Sequence, residues 1–330
     1  MTKQSFRLAG WASALLALAA TAQAEVKLNE NFSVSGYISG SAAYTEWDNG
    51  TAGDTDDSFM DVDSVKLQST ATFEKTTGTI SLHTFTSHDP VVLDAYATYT
   101  IDSGTTVTVG KFLSWLGYEA FDYPNMLQIS YANDFSGFIP AYHSGVKMEY
   151  TAEGVTGGFA VLDSVYGPTY YKGDGDLDNG AGFEGYLKFT QGDSSLFAAI
   201  AYDGGVAGSE DNRTTFDIWG QTKVGSTTLA AEYCYSKLDS AAGDADGYFW
   251  LLLAMAPLND KWTLTGRLSG GENEAVAVTT STPTFFKATI SPAVTVTPNL
   301  GVLFEYSYTK YDDFSTESAS FFGAQVIFKF

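Results

Sequence analysis

Residues Phe321–Phe330 read FFGAQVIFKF, a strand-like run with an aromatic as its last residue. Phe322, Ala324, Val326, Phe328 and Phe330 share one parity and are all apolar. Phe321, Gly323, Gln325, Ile327 and Lys329 share the other and are mixed. Strand side chains alternate between faces, so one face here is greasy and the other can be wet. Chain ends are usually frayed and polar, because nothing ties them down. A greasy terminal strand makes sense if it pairs on both edges, as the closing strand of a barrel in lipid does.

The pattern recurs along the chain. Sixteen strand-like segments of about ten residues follow one another, from one near 31–46 to one near 320–330; a merged or missed hairpin would make fourteen or eighteen. In VVLDAYATYTI, Val91, Leu93, Ala95, Ala97 and Tyr99 oppose Asp94, Tyr96 and Thr98. In FEGYLKF, Phe183, Leu187 and Phe189 oppose Glu184, Tyr186 and Lys188. Only YFWLLLAMA, within 248–256, is apolar on both parities, which suits packing against an inserted loop or a subunit contact. Helical periodicity is nearly absent; only 113–132 has room for a short helix. The connections fall into two classes. Tight turns at 76–78, 102–104, 153–157, 192–194, 224–227, 257–260 and 297–299 carry Gly, Asn, Asp or Pro. Long polar connections at 48–59, 167–180, 203–213, 270–283 and 311–319 alternate with them. Short turns on one rim and long loops on the other are the habit of outer-membrane barrels. The fold expected is all-β: a transmembrane antiparallel up-and-down β-barrel over residues 25–330.

The other end of the chain agrees. Lys3 and Arg7 precede a short apolar stretch, and Ala22-Gln23-Ala24 is a small-x-small cleavage pattern, so residues 1–24 read as a secretory signal peptide. The chain is strongly acidic, with a net charge of −22, which excludes nucleic acid as a natural partner. Cys234 is the only cysteine, so no disulfide within the chain can form. Aromatic residues make up 15% of the sequence and gather near strand ends, as interfacial girdles require. No stretch reaches the roughly 18 apolar residues of a spanning helix. Mean hydropathy near zero fits alternating strands as well as it fits a soluble protein. The expected setting is the bacterial outer membrane, with lipid and lipopolysaccharide as surroundings and the barrel-assembly machinery as the insertion partner; Phe328 and Phe330 are the candidate insertion signal.

One connection stands apart. Residues 114–143, SWLGYEAFDYPNMLQISYANDFSGFIPAYH, are rich in aromatics and contain no Lys or Arg. Structureless loops of that length are usually functional. GKFLSWLGYEAFDYPN, followed by IPAYHSGVKMEY, resembles the OmpL-like β-barrel porins, with the residue-level likeness confined to Gly110–Tyr150. The general plan resembles the sixteen-stranded diffusion porins. That resemblance implies that 114–143, the third long-side connection, folds inward as a constriction loop. It also implies a homotrimer.

Charge then suggests how such a pore would select. Glu119, Asp122 and Asp134 are the loop's only charged residues. Lys66, Lys147, Lys188, Arg267 and Lys287, with Lys223, Lys261 and Lys329, fall on inward parities of the wall. So do the acids Asp94, Glu149, Glu184 and Glu305, with Glu74, Asp217 and Glu232. Loop acids facing wall cations would set up a transverse field that favours small polar solutes. The expectation is passive diffusion of small hydrophilic solutes and ions, mildly cation-preferring, with no cofactor.

Other chemistries are weaker. His83, His88 and His143 are the only histidines; His143 and Ser144 are adjacent on a strand and point apart; no G-x-S-x-G occurs, so no enzyme is expected. Asp174, Asp176 and Asp178 alternate before Gly180 and form a weak metal candidate, since the calcium-loop pattern wants its glycine one place earlier and a glutamate where Gly185 stands. Asp48, Asp54, Asp56, Asp57, Asp61 and Asp63 read as a solvated acidic loop, bridged to lipopolysaccharide by divalent ions. A substrate-specific channel, for sugars stacking on Tyr96 and Tyr186, is the alternative function. A barrel-anchored structural protein ranks below it, because the loops are too short to form a domain.

Overall fold

The computed structural model describes residues 25–85, 89–133, 138–166, 177, 180–205, 211–241, 243–273, 284–312 and 315–330. Residues 1–24, the expected signal peptide, lie outside them. After a two-residue stub, Val26–Lys27, come β1 (Phe32–Asp48), β2 (Thr55–Phe73), β3 (Thr76–Phe85), β4 (Val91–Thr100), β5 (Thr105–Leu113) and β6 (Tyr142–Ala152). There follow β7 (Val155–Leu162), β8 (Gly182–Gln191), β9 (Ser194–Asp203), β10 (Asn212–Val224) and β11 (Thr227–Asp239). The last are β12 (Ala245–Pro257), β13 (Trp262–Asn273), β14 (Thr284–Thr297), β15 (Leu300–Asp312) and β16 (Ser318–Lys329). Each pairs antiparallel with its neighbours in sequence, and β16 closes on β1 from Ser318↔Asp48 to Lys329↔Tyr37. Phe330 completes the seam: its N–H donates to Gly36 O at 3.0 Å, and its carbonyl accepts from Gly36 N at 2.8 Å. The terminal aromatic is therefore paired backbone.

The barrel is inside-out relative to a soluble domain. Outward residues such as Leu67, Ile80, Met148, Phe159, Leu187, Ile218, Leu252, Ile290, Phe322 and Val326 are exposed, while inward Ser39, Ser64, Lys66, Ser81, Glu184, Arg267, Lys287 and Glu305 are buried. A lipid-facing surface and a polar interior produce this distribution. The alternation read for FFGAQVIFKF holds, with Phe322, Val326 and Phe328 outside and Gln325 and Ile327 inside.

Three register shifts re-aim side chains. At Ser39/Gly40 the extra residue on β2 is Asp63, whose carboxylate turns into the lumen and accepts from Ser39 Oγ at 2.9 Å and Gln325 Nε2 at 3.0 Å. The others lie between Ile80 and Leu82 and between Thr295 and Thr297. Gly110, in β5, has φ +130, and a Cβ there would sit 2.2 Å from Ala95 O on β4. Only glycine allows that approach.

Two expectations are corrected. The acidic stretch 48–63 is mostly strand: β2 runs up to Thr55, so Asp56, Asp57, Asp61 and Asp63 belong to it, because the hairpin with β1 keeps pairing to Trp47↔Thr55 above the lipid zone. No short helix forms in the described part of 113–132; a single 3₁₀ turn, Tyr123–Asn125, is all that appears. YFWLLLAMA is apolar on both parities because its inward Phe249, Leu251 and Leu253 pack against the loop between β5 and β6.

Candidate functional site: the loop inside the barrel

That loop leaves β5 at Leu113, and its neck is closed by Ser114 N donating to Ala141 O at 2.7 Å. It then makes a circuit of the inner wall. Gly117 and Tyr118 reach β10 and β11, and Glu119 reaches Arg267 on β13. The chain next crosses the lumen, so that Asp122 meets Lys66 on β2 and Tyr123 lies 6.2 Å from Tyr37 on β1. It continues past β16, β15 and β14: Ile129 packs with Tyr37, Leu303 and Ile327, Ser130 meets Glu305, and Tyr131 O accepts from Lys287 Nζ at 3.1 Å. Ala132 docks on Leu251 and Leu253, and Phe138 meets Phe249 edge-on at 5.3 Å. Phe121 packs beside Leu93 and Tyr142 near the neck.

The ions are in contact, not across a gap. Glu119 pairs directly with Arg267, whose guanidinium also donates to Ser130 O and Tyr131 O, each at 2.9 Å. Lys66 Nζ lies 2.7 Å from Asp122 and 3.2 Å from Asp94, and Ser81 Oγ donates to Asp94 at 2.6 Å. Burial pushes the Asp122 carboxyl up from its ordinary range, and Lys66 pulls it back.

The wall acids hold the loop by its backbone. Glu184 accepts from Ser114 Oγ at 2.6 Å and Trp115 N at 3.4 Å. Asp217 accepts from Gly117 N at 2.8 Å and Glu232 from Tyr118 N at 2.7 Å. Glu305 accepts from Ile129 N at 2.6 Å, from Ser130 N at 3.0 Å and from the Ser130 hydroxyl. On the next loop, Asp203 does the same for Val165 N and Tyr166 N. A buried amide needs an acceptor. Here wall carboxylates supply those acceptors.

The structure thus brings together Glu119, Asp122, Lys66, Arg267, Lys287, Asp94, Glu184 and Glu305. Lys147, Glu149 and Lys188 sit nearer the short-turn rim: Lys147 is 3.7 Å from Glu149, and Lys188 Nζ lies 5.3 Å from the Trp219 ring. Glu74 and Lys261 are in turns, not on the inward wall, because the strands stop at Phe73 and begin at Trp262. Asp134, Asp174, Asp176 and Asp178 lie outside the described residues, as does His88. Phe328 and Phe330 stack at 6.1 Å beside the seam. Parity placed Asp217 and Glu232 inward but could not reveal them as amide acceptors. Arg213 was missed because it lies at the start of β10; its guanidinium sits 3.7 Å above the Tyr166 ring and donates to Phe138 O at 3.2 Å.

A closed sixteen-strand barrel with an apolar exterior, a polar interior and a loop bound within its lumen defines an outer-membrane channel of the porin class. The chain belongs to the family described as "Putative beta-barrel porin-2, OmpL-like", whose model matches residues 31–330. It is an outer-membrane porin. The fold is similar to that of an anion-selective porin from Comamonas acidovorans (TM-score 0.66, 13% identity, 91% of this chain and 99% of that one covered). It is also similar to OmpT of Vibrio cholerae (TM-score 0.65, 15% identity, 93% and 100% covered) and to Salmonella typhi OmpF in complex with daunomycin (TM-score 0.66, 12% identity, 93% and 100% covered). No curated protein sequence matches the chain.

Proposed function

We propose that this porin passes small hydrophilic solutes and ions by passive diffusion, with the loop between β5 and β6 as the constriction. The observation that carries the reading is the loop's position: Gly117 N donates to Asp217 on β10 and the Asp122 side chain pairs with Lys66 on β2, eight strands away around the sixteen-strand ring. A segment tied to opposite walls at mid-height narrows whatever crosses. A mild cation preference follows from the acids above the constriction, among them Asp56, Asp57 and Asp61 on the overhanging hairpin. Within the constriction, paired charges contribute little net field at a distance. The protein is further read as a homotrimer, exported with residues 1–24 removed, inserted by the barrel-assembly machinery and set among lipopolysaccharide; catalysis and a cofactor have no part in it.

Single-channel conductance in a planar bilayer tests this, with the reversal potential taken under a KCl gradient. An ohmic step with a potential on the cation side supports the reading. A closed barrel, or an anion-side potential, counts against the pore or against its selectivity respectively. A substrate-specific channel is the second reading, favoured by the aromatic run on the inner wall: Trp115 to Tyr186 at 4.7 Å, Tyr186 to Phe197 at 5.4 Å and Phe197 to Trp219 at 5.0 Å.

A further inference from the structure

Below the loop, toward the short-turn rim, one inward cation differs from the rest. Lys66, Arg267 and Lys287 are buried and bonded to acids or to loop carbonyls. Lys147 has Glu149 at 3.7 Å, and Lys223 has Asp193 at 3.9 Å. Lys188 is half-buried on β8, and among the described residues no carboxylate pairs with it. Its neighbour is the face of Trp219, 5.3 Å from the ammonium. A ring face offsets only part of an ammonium's lost hydration, so a mobile anion in the lumen gains from meeting it.

The surroundings narrow the class of anion. The inward acids around it are already engaged: Glu149 accepts from Tyr186 OH at 2.8 Å and Trp115 Nε1 at 3.2 Å, besides facing Lys147, while beside Trp219 Asp217 accepts from Gly117 N at 2.8 Å and Glu232, opposite Trp219 in register, from Tyr118 N at 2.7 Å. Glu149 thus has two hydrogen bonds and a facing ammonium that offsets its charge, Asp217 and Glu232 are turned to the loop, and none of the three pairs with Lys188. Trp115 and Tyr186 are half-buried, with part of each side chain open to the lumen, and belong to the continuous aromatic run that ends at Trp219. Rings beside a lone cation suit a solute with a flat body and one negative end.

We propose that Lys188, with the Trp115–Tyr186–Trp219 face, forms a subsite for small ring-bearing carboxylates on the short-turn side of the constriction. The subsite rests on the pore reading and deepens its substrate-specific form. A cation preference set by the outer acids and an anion subsite set by Lys188 act at different depths and can coexist. Such a site retains a carboxylate briefly and lowers the current of other ions while it stays.

The test adds sodium benzoate to the short-turn side of a single channel carrying KCl current, with benzamide as the uncharged isostere and sodium gluconate as a carboxylate without a ring. Benzoate is expected to produce resolved interruptions, gluconate weaker ones and benzamide none. Lys188→Met should raise the half-blocking benzoate concentration at least about tenfold, which is the loss of one charged contact. Lys188→Arg should keep the block, and Lys223→Met should leave it unchanged. If Lys188→Met does not fold to a heat-modifiable barrel, Lys188→Gln replaces it with the same expectation. Steady wild-type current without benzoate block, equal block by benzamide, or unchanged block in the Met or Gln variant overturns the subsite and leaves the pore standing. No wild-type current at all overturns both.

Discussion

Replacing Arg267 with alanine tests how the loop is held. Three attachments go at once: the pair with Glu119 and the bonds to Ser130 O and Tyr131 O. The Arg267 side chain is fully buried and that of Glu119 is 17% exposed, so water can reach the orphaned carboxylate only in part. Removing one partner of a buried pair costs about 3–5 kcal/mol. Glu119 keeps the Ala132 amide at 2.7 Å, which favours the lower end of that range. A loss of about 3 kcal/mol shifts the balance between docked and undocked loop about a hundredfold. The expected results are faster hydrogen exchange at the Ile129 and Ala132 amides by about that factor, a larger and flickering single-channel current, and a reversal potential moved to the cation side because Glu119 is uncompensated. Arg267→Lys keeps the charge but not the fork, and should fall between. Unchanged exchange and current in Arg267→Ala would show that Glu305 and the apolar contacts hold the loop alone, and the clamp argument would be wrong.

Three further outcomes follow from the same contacts. Lys66→Met should move the reversal potential to the cation side by baring Asp122, and adding Asp122→Asn should bring it back most of the way; a double variant that stays shifted would mean Asp94, not Asp122, carries the exposed charge. Gly110→Ala should destabilise the folded barrel by about 1–3 kcal/mol, read as a lower melting temperature, because its φ is +130 and the new Cβ would strike Ala95 O. Gly78→Ala, whose Cβ would meet nothing within 4 Å, should be neutral and serves as its control. Phe330→Ser removes the ring that stacks on Phe328 and lies 2.9 Å from the Cβ position of Gly36, while the two backbone bonds to Gly36 persist; the yield of folded protein in membranes should drop, and an undiminished yield would mean the ring is dispensable at the seam.

The barrel was legible because its physics is periodic. Between bulges a residue's face follows from parity, so the sixteen strands and their closure at FFGAQVIFKF could be read before any coordinates; at the bulge in β4 parity fails, and Leu93, which it set opposite Asp94, turns inward with it. Where a strand continues past the lipid zone, parity still alternates but composition turns polar; the Asp-rich rise of β2 to Thr55 was therefore taken as loop. Strand ends have the same weakness, which put Glu74 and Lys261 on the wall and left Arg213 out.

The site was less legible, for a different reason. Parity says which way a side chain points and nothing about what lies opposite it inside a closed barrel. Glu119 and Arg267 are 148 positions apart and Ile129 and Glu305 are 176 apart. Nothing local in the sequence joins them. Charge signs suggested a field between an acidic loop and a mixed wall. The structure resolves those charges into contacts, because the backbone amides and ions of a loop buried against the wall need partners. Glu184, Asp217, Glu232 and Glu305 are used for that purpose, each taking one or more loop N–H groups. The charge left over to act on a passing solute is then decided by what was not needed for holding the loop. With the proposals above, that leaves the outer acids and Lys188, and selectivity is expected above and below the constriction instead of within it.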